Sequence, residues 1–263
     1  MPTVTLLQKA YGDTRAQSIE PLLKSLCKGL DVQVKVKGAT AQGWIQVNIE
    51  GEDEKPVLQL FSNEFGIAPE TIEKLERFSV LRGRIVGSTF EKADRLLVDI
   101  GIFQPKALYA EIRLDTLKAQ LADGLELPLK RLTELYCLPH NMPIYVKVPD
   151  VGTNGDLRAE LANEQLVLFD DWLDLMLDRL LVLGVPVGHV KQAVEESRHF
   201  RDVIKIESLG WLEHVIVCKL GTDAVGLIPS VGRILRGATL ASFSPRKIKQ
   251  ALRLPSISET KPT

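Results

Sequence analysis

Apolar residues between positions 32 and 49 fall at every second place. Val32, Val34 and Val36 alternate with Gln33, Lys35 and Lys37, and after a turn bounded by Gly38 and Gly43 the pattern resumes with Trp44, Val47 and Ile49. Period two marks a half-buried strand, so this stretch predicts a hairpin. Upstream, residues 3–7 predict a strand. Ile19, Leu22, Leu23, Leu26 and Cys27 then recur at helical spacing, with Gly29 as a stop signal. Residues 56–65 predict a second helix, ended by Gly66. Residues 1–76 are therefore expected to form a small α/β sandwich.

The pattern changes over residues 79–114. Short β-rich runs at Val80, Arg84-Ile85-Val86, Leu96-Leu97-Val98 and Ala107-Leu108 are punctuated by Gly83, Gly87, Gly101 and Pro105. Such spacing is the grammar of a small barrel, and backbone crowding or positive φ is expected at Gly83 and Gly101. A charged helical stretch covers residues 114–136. Ile144, Val146 and Val148 then alternate as a closing strand, which bounds the barrel unit at 77–151. Residues 152–254 predict a helical hairpin followed by a β-rich unit. In the first helix, capped by Asn163, Leu166, Phe169, Leu173, Met176, Leu177 and Leu180 share a face opposite Asp170, Asp171, Asp174 and Asp178. The break at Gly184-Val185-Pro186 precedes the second helix. Strands follow at 203–206, 214–218 and 224–229, with a short helix over 231–235, and the tail 255–263 is expected to be disordered. The fold class is α+β.

At 263 residues the chain is long enough for two or three units. Its 33 basic and 34 acidic residues leave a formal charge of −1, so attraction to a polyanion has to come from local patches. One such patch follows Asp223, where no acid occurs before Glu259 while Arg233, Arg236, Arg246, Lys247, Lys249 and Arg253 accumulate. Three widely separated cysteines, Cys27, Cys137 and Cys218, suit buried thiols in a reducing compartment. The start of the chain has no signal-peptide pattern and no apolar run is long enough to span a bilayer, which points to the cytoplasm.

The segments Gly83-Arg84-Ile85, Leu97-Val98-Asp99-Ile100-Gly101 and Ala107-Leu108-Tyr109 resemble an S1-type oligonucleotide-binding (OB) domain. They depart from it in lacking a glycine–aromatic pair on the second strand and in the length of the helical insertion. Over nearly its full length the chain also resembles a conserved archaeal family built on a domain of unknown function. That resemblance is carried by Val80 through Val86, Arg201-Asp202-Val203-Ile204, Leu212-Glu213-His214, Cys218 through Ala224, Gly226-Leu227-Ile228-Pro229 and Gly232-Arg233. It implies an archaeal cytoplasmic context and no assigned activity.

An oligonucleotide-binding barrel needs aromatic faces for bases and cations for phosphates. Phe90, Phe103 and Tyr109 are candidates for the first role, and Arg82, Arg84, Lys92, Arg95 and Arg113 for the second. Arg233, Arg236, Arg246, Lys247 and Lys249 would extend the RNA contact. Competing motifs are weaker. Cys137-x-x-His140 and His214-x-x-x-Cys218 suggest zinc, but four residues of strand span about 13 Å, too far for one ion. Ser197, His199 and Asp202 lie close in sequence, whereas catalytic triads assemble from distant segments. Gly221-Thr222-Asp223-Ala224 lacks Walker spacing and reads as a plain turn. The helix–turn–helix reading of the hairpin suffers from the acidity of its first helix. The expectation is non-catalytic binding of RNA or a ribonucleoprotein, with no cofactor, metal or membrane partner. The alternative is a protein–protein adaptor presenting the acidic face Asp170–Asp178 to a basic partner, and an enzyme of unknown type comes third.

Overall fold

A computed structural model describes residues 3–11, 16–86, 94–151 and 157–253 of the chain. In its first unit β1 (Thr3–Lys9), β2 (Val32–Ala39) and β3 (Trp44–Gly51) form an antiparallel sheet of order β1-β3-β2. The period-two pattern does what it predicts: Val34, Val36, Val47 and Ile49 are buried while Gln33 and Lys35 are exposed. Two helices, α1 (Glu20–Leu26) and α2 (Glu54–Phe65), cover the buried face with Leu23, Val57 and Phe61. The first helix is shorter than its apolar spacing suggests. A 3-10 turn over Ala16–Ile19 precedes it, and Pro21 sits at its start, where a missing N–H costs nothing.

Five strands close into the barrel: β4 (Val80–Ile85), β5 (Arg95–Ile102), β6 (Leu108–Arg113), β7 (Pro143–Val151) and β8 (Leu157–Leu161). The order β4-β5-β6-β8-β7, with β6 and β8 parallel and every other pair antiparallel, is a Greek-key barrel of OB type. The fifth strand lies beyond residue 151, so the barrel reaches further than the sequence pattern suggests. Its alternation (Leu157, Ala159 and Leu161 buried, Arg158 exposed) is short and sits in an acidic stretch that hides it. Between β6 and β7, α3 (Leu114–Leu121) and α4 (Leu129–Leu135) send Leu117, Leu121 and Leu132 into the barrel core. Gly83 and Gly101 are required as expected. A Cβ at 83 would collide with Val98 Cγ1 inside the barrel, and Gly101 has φ +82° with Ala68 Cβ 2.6 Å from where its own Cβ would be.

In the last unit β10 (Val203–Ser208), β11 (Glu213–Cys218), β9 (Arg179–Leu183) and β12 (Thr239–Phe243) form one sheet in that order. The expected helical hairpin is absent. The first helix, α5 (Asn163–Asp174), stops before β9, and only then does α6 (Val187–Glu196) follow. β9 is buried on both faces: Leu181 and Leu183 join the barrel core, while Leu180 and Val182 pack under α6 and α7 (Ala224–Ile234). A strand buried on both sides is continuously apolar and carries no period of two, which is why helical spacing claimed it. Asn163 is the first helical residue, not the cap; Ala162 holds that position without a side-chain bond. Residues 224–229, expected as a strand, open α7, whose buried Ala224, Leu227 and Val231 recur at helical spacing and whose cap is Asp223, accepting from Val225 N at 2.9 Å. The chain ends its described part with α8 (Pro245–Leu252), which buries Ile248 and Leu252.

Because Gly101 combines positive φ with a blocked Cβ position, Gly101→Ala is expected to cost about 2–4 kcal/mol. Gly188→Ala, in open space within α6, should be neutral or stabilise by up to about 1 kcal/mol. Urea unfolding of both variants checks the pair.

Candidate nucleic-acid interface and the junction behind it

The basic residues predicted for the barrel do not form one surface. Arg84 is fully buried, so it is an internal group and makes no surface contact. Arg82, on the same side of β4, is half-buried, with Nη1 3.5 Å from the Glu64 carbonyl and its guanidinium 5.6 Å from the Tyr145 ring. Arg95 and Arg113 are exposed and face one another across β5 and β6, each beside an acid, Glu111 and Asp115 respectively. Tyr109 is half-buried opposite Asp99, and Phe103 packs against Leu7, Trp44 and Ala68. Phe90 and Lys92 lie outside the described residues.

Phe78 carried no signal in the sequence, yet the structure presents it. Just before β4, the residue is 57% exposed, and the Arg77 guanidinium and Lys147 Nζ of β7 lie over its ring, 5.4 and 5.6 Å from the centroid. Its backbone is held at φ +62°, with its N–H donating to the Val148 carbonyl at 2.8 Å. A bulky side chain with positive φ is an outlier that costs on the order of 1–3 kcal/mol, and such strain gathers at functional positions. Both cations stand over the ring and have partners of their own: Lys147 Nζ lies 3.3 Å from Glu160 Oε1, and Arg77 Nε donates to the Pro149 carbonyl at 3.2 Å. A base stacking on this rim aromatic would take the place of one of them.

A second basic surface surrounds α8. Arg246 and Lys247 are exposed and, among the described residues, make no ion pair. They line a cleft of about 220 Å³ with Thr222 and Asp223, and Lys247 also borders one of about 310 Å³ with Arg131 and Gln250. Lys249 turns toward Asp174 of α5, 3.9 Å away. Arg233 and Arg236 are exposed at the end of α7. The turn at residues 221–224 is supplied with acids instead of an anion site: Asp223 caps α7, and Asp178 Oδ2 lies 3.4 Å from Ala224 N. Asp178 also accepts from Ser244 Oγ at 3.0 Å, which removes it from the acidic face of α5.

Behind the barrel the three units meet on buried charge. Arg84 Nη2 lies 3.1 Å from Glu213 Oε2, both side chains fully buried, and Tyr11 Oη donates to Glu213 Oε1 at 2.7 Å. Lys9 Nζ pairs with Asp99 Oδ2 at 2.8 Å, while Asp99 Oδ1 accepts from Trp44 Nε1 at 3.1 Å and from Gly101 N at 3.0 Å. Burial pushes the Lys9 ammonium below its ordinary range despite Asp99, and pushes the Tyr11 hydroxyl up, with Glu213 adding to the rise. Gln8 Oε1 accepts from Trp211 N at 3.2 Å and from Arg84 Nη2 at 3.4 Å. Next to these, His214 places Nε2 3.0 Å from the Val185 carbonyl and Nδ1 3.1 Å from Ser208 Oγ. A carbonyl needs a donor, so the ring carries its proton on Nε2, and burial holds its pKa below the usual histidine value against the pull of Glu213.

The remaining motifs are spent locally. Ser197 Oγ donates to the Val194 carbonyl at 3.1 Å, while His199 Nδ1 and Asp202 Oδ2 are 2.8 Å apart. Cys137 and Cys218 are buried, their thiols pushed up to about 12 chiefly by burial. Among the described residues no three or more His, Cys, Asp or Glu side chains gather as metal ligands. Nor is any described helix long and apolar enough to cross a membrane.

Residues 3–71 match the model of the DUF2110 N-terminal domain, and residues 177–242 that of the DUF2110 C-terminal domain. The chain belongs to the DUF2110 family. The two DUF2110 domains flank the barrel and contribute Lys9 on one side and Glu213 on the other. No curated protein matches the chain. Among solved structures, the intact alpha subunit of aIF2 from Pyrococcus abyssi is 11% identical, over 64% of this chain and 97% of that one, at a TM-score of 0.25. At that score the likeness carries no argument.

The buried charges of the DUF2110 junction can be tested by substitution and by pH. Glu213→Gln leaves Arg84 buried without a counter-charge and is expected to cost about 3–5 kcal/mol, whereas Arg84→Met combined with Glu213→Leu should cost clearly less. Denaturant unfolding of the two singles and the double measures the coupling. Two histidines make the junction pH-sensitive, His214 and His140, both depressed chiefly by burial; their stabilising contribution is complete above the unfolded value of about 6.5 and is lost as pH falls below it toward the folded value. The urea midpoint should therefore drop between pH 7.5 and 5.5, and His214→Gln should flatten that slope.

Proposed function

We propose that the protein binds single-stranded RNA, free or within a ribonucleoprotein, without catalysing a reaction on it. The observation that carries this reading is Phe78, an exposed aromatic at positive φ, with Arg77 and Lys147 over its ring, on the rim of an OB-type barrel. A base would stack there by displacing a cation from the ring, and Lys147 would exchange Glu160 for a phosphate. The exposed cations of α8, Arg246 and Lys247, would add salt-dependent contacts that do not read sequence. The acidic face of α5 is a weaker basis for the adaptor reading, since Asp174 faces Lys249 and Asp178 is bonded to Ser244.

The test uses a fluorescent 12-mer of oligouridylate at low salt. Phe78→Ala is expected to lower affinity by one to two decades, from about 1–3 kcal/mol per stacked base. Phe78→Gly should weaken binding equally while melting no lower than wild type, because glycine accepts positive φ without strain. Arg246→Gln with Lys247→Gln should reduce the log–log salt slope by about 0.7 for each phosphate no longer neutralised. Absence of wild-type binding, or wild-type affinity in both Phe78 variants, would sink the proposal. Failure to capture a protein partner in Asp170→Asn, Asp171→Asn, Asp174→Asn alone would favour the adaptor.

A further inference from the structure

The three-unit junction opens into a cleft of about 340 Å³ on the side of Gln8, Arg82, Trp211 and His214. This volume lies within the range of small-molecule sites, and such sites prefer the boundaries between units. Its floor is polar and incomplete. Gln8 is only 1% exposed, and its amide oxygen is fully used by Trp211 N and Arg84, yet its Nε2 donates to nothing. Arg82 Nε, also buried, has no acceptor either, and burial lowers the guanidinium pKa. Buried donors left without acceptors cost about 1–3 kcal/mol each, and more when charged. Both residues line the cleft, and a shift of either side chain would bring its sealed donor to an acceptor held there.

We infer that this cleft binds a small organic carboxylate with an apolar body. The number and kind of free donors select the head group. Arg84 Nε and Nη1 also lack acceptors but do not line the cleft. The one amide N–H and one guanidinium N–H of its lining suit the two oxygens of a carboxylate, whereas a tetrahedral phosphate calls for a larger set of donors or a helix N-terminus. The balance of charge agrees. Below the floor Arg84 and Glu213 offset one another, and His214 is held neutral, so Arg82 is the cation left over for the ligand. Glu64 also borders the cleft, but its side chain is exposed to water at the rim. The walls suit an apolar body: Phe65, Val187, Leu209 and Trp211 come from α2, α6 and the turn between β10 and β11. Because the site draws on all three units, its ligand would tie their mutual docking to its own concentration.

The inference does not depend on RNA binding and is tested without it. Phenylacetate, phenyl phosphate and phenylethanol are titrated into the full chain by calorimetry, with thermal melting alongside. Phenylacetate is expected to bind at submillimolar concentration and raise the melting temperature, with phenyl phosphate at least tenfold weaker and phenylethanol silent. Arg82→Gln and Gln8→Glu, the latter keeping the acceptor while placing a negative charge opposite the ligand, should each weaken phenylacetate tenfold or more. Should either variant fold poorly, Val187→Trp, on the half-buried wall, is expected to abolish binding by filling the cleft. Three results would each overturn the assignment: no binding of phenylacetate to wild type, equal binding of phenylethanol, or binding indifferent to Arg82→Gln and Val187→Trp. A high-resolution crystal structure grown with phenylacetate that shows only ordered water on Gln8 Nε2 and Arg82 Nε would overturn it as well.

Discussion

The pairing of Arg84 with Glu213 constrains everything around it, because two opposite charges with no exposure to water must be brought together by separate parts of the chain. Moving either ion out of water costs several kcal/mol, and their attraction repays this only when the geometry is right. The depressed pKa of Lys9 beside Asp99 shows the same contest, with desolvation outweighing a 2.8 Å ion pair. The junction therefore matters more for the arrangements it forbids than for its net energy. Docking the N-terminal unit elsewhere would strand Asp99, and misplacing the C-terminal sheet would leave Arg84 alone in an apolar interior.

Apolar packing reinforces that choice on one side. The barrel and the last unit share a single core, in which Leu181 and Leu183 of β9 and Phe243 of β12 meet the barrel helices, with Tyr136, Phe169, Trp172 and Phe243 as mutually packed rings. The N-terminal unit keeps its own core and touches the barrel through Leu7, Trp44 and Ala68 around Gly101. It depends more on polar contacts for its place. Trp211 of the last unit also packs against that core, and a ligand recognised by Gln8 and Arg82 would act on this seam.

What could be read from the chain follows from how many faces each element buries. Half-buried elements announce themselves: the β2–β3 hairpin by its alternation, and the barrel strands by the glycines that crowded packing demands at 83 and 101. β9 was illegible because burial on both faces erases periodicity, and α7 because an apolar run containing Pro229 reads as extended. β8 was hidden by the acidic stretch around it. At the candidate sites the obstacle was different. Composition identifies cations but not their company, so Arg84 looks like a phosphate contact until Glu213, 129 positions away in the chain, is seen beside it. Phe78 had no signal at all, since a lone aromatic in a connector is ordinary, and what sets it apart is exposure of an aromatic at a positive φ that seven other described non-glycine residues also adopt.

Phe78 and the junction illustrate opposite uses of unfavourable free energy. At the junction, unfavourable desolvation is hidden from water and only partly offset, since Arg84 Nε and Nη1 and Glu213 Oε2 have no hydrogen-bond partner, and it fixes how the units meet. At Phe78, unfavourable backbone conformation is left at the surface, in a residue 57% exposed with Arg77 and Lys147 over its ring. A side chain that were merely structural would be cheaper as glycine at that φ, with the Val148 bond retained because it comes from the backbone. The cost is sustained by the ring, whose contacts among the described residues are the two cations over it, and any partner that stacked on it would compete with them.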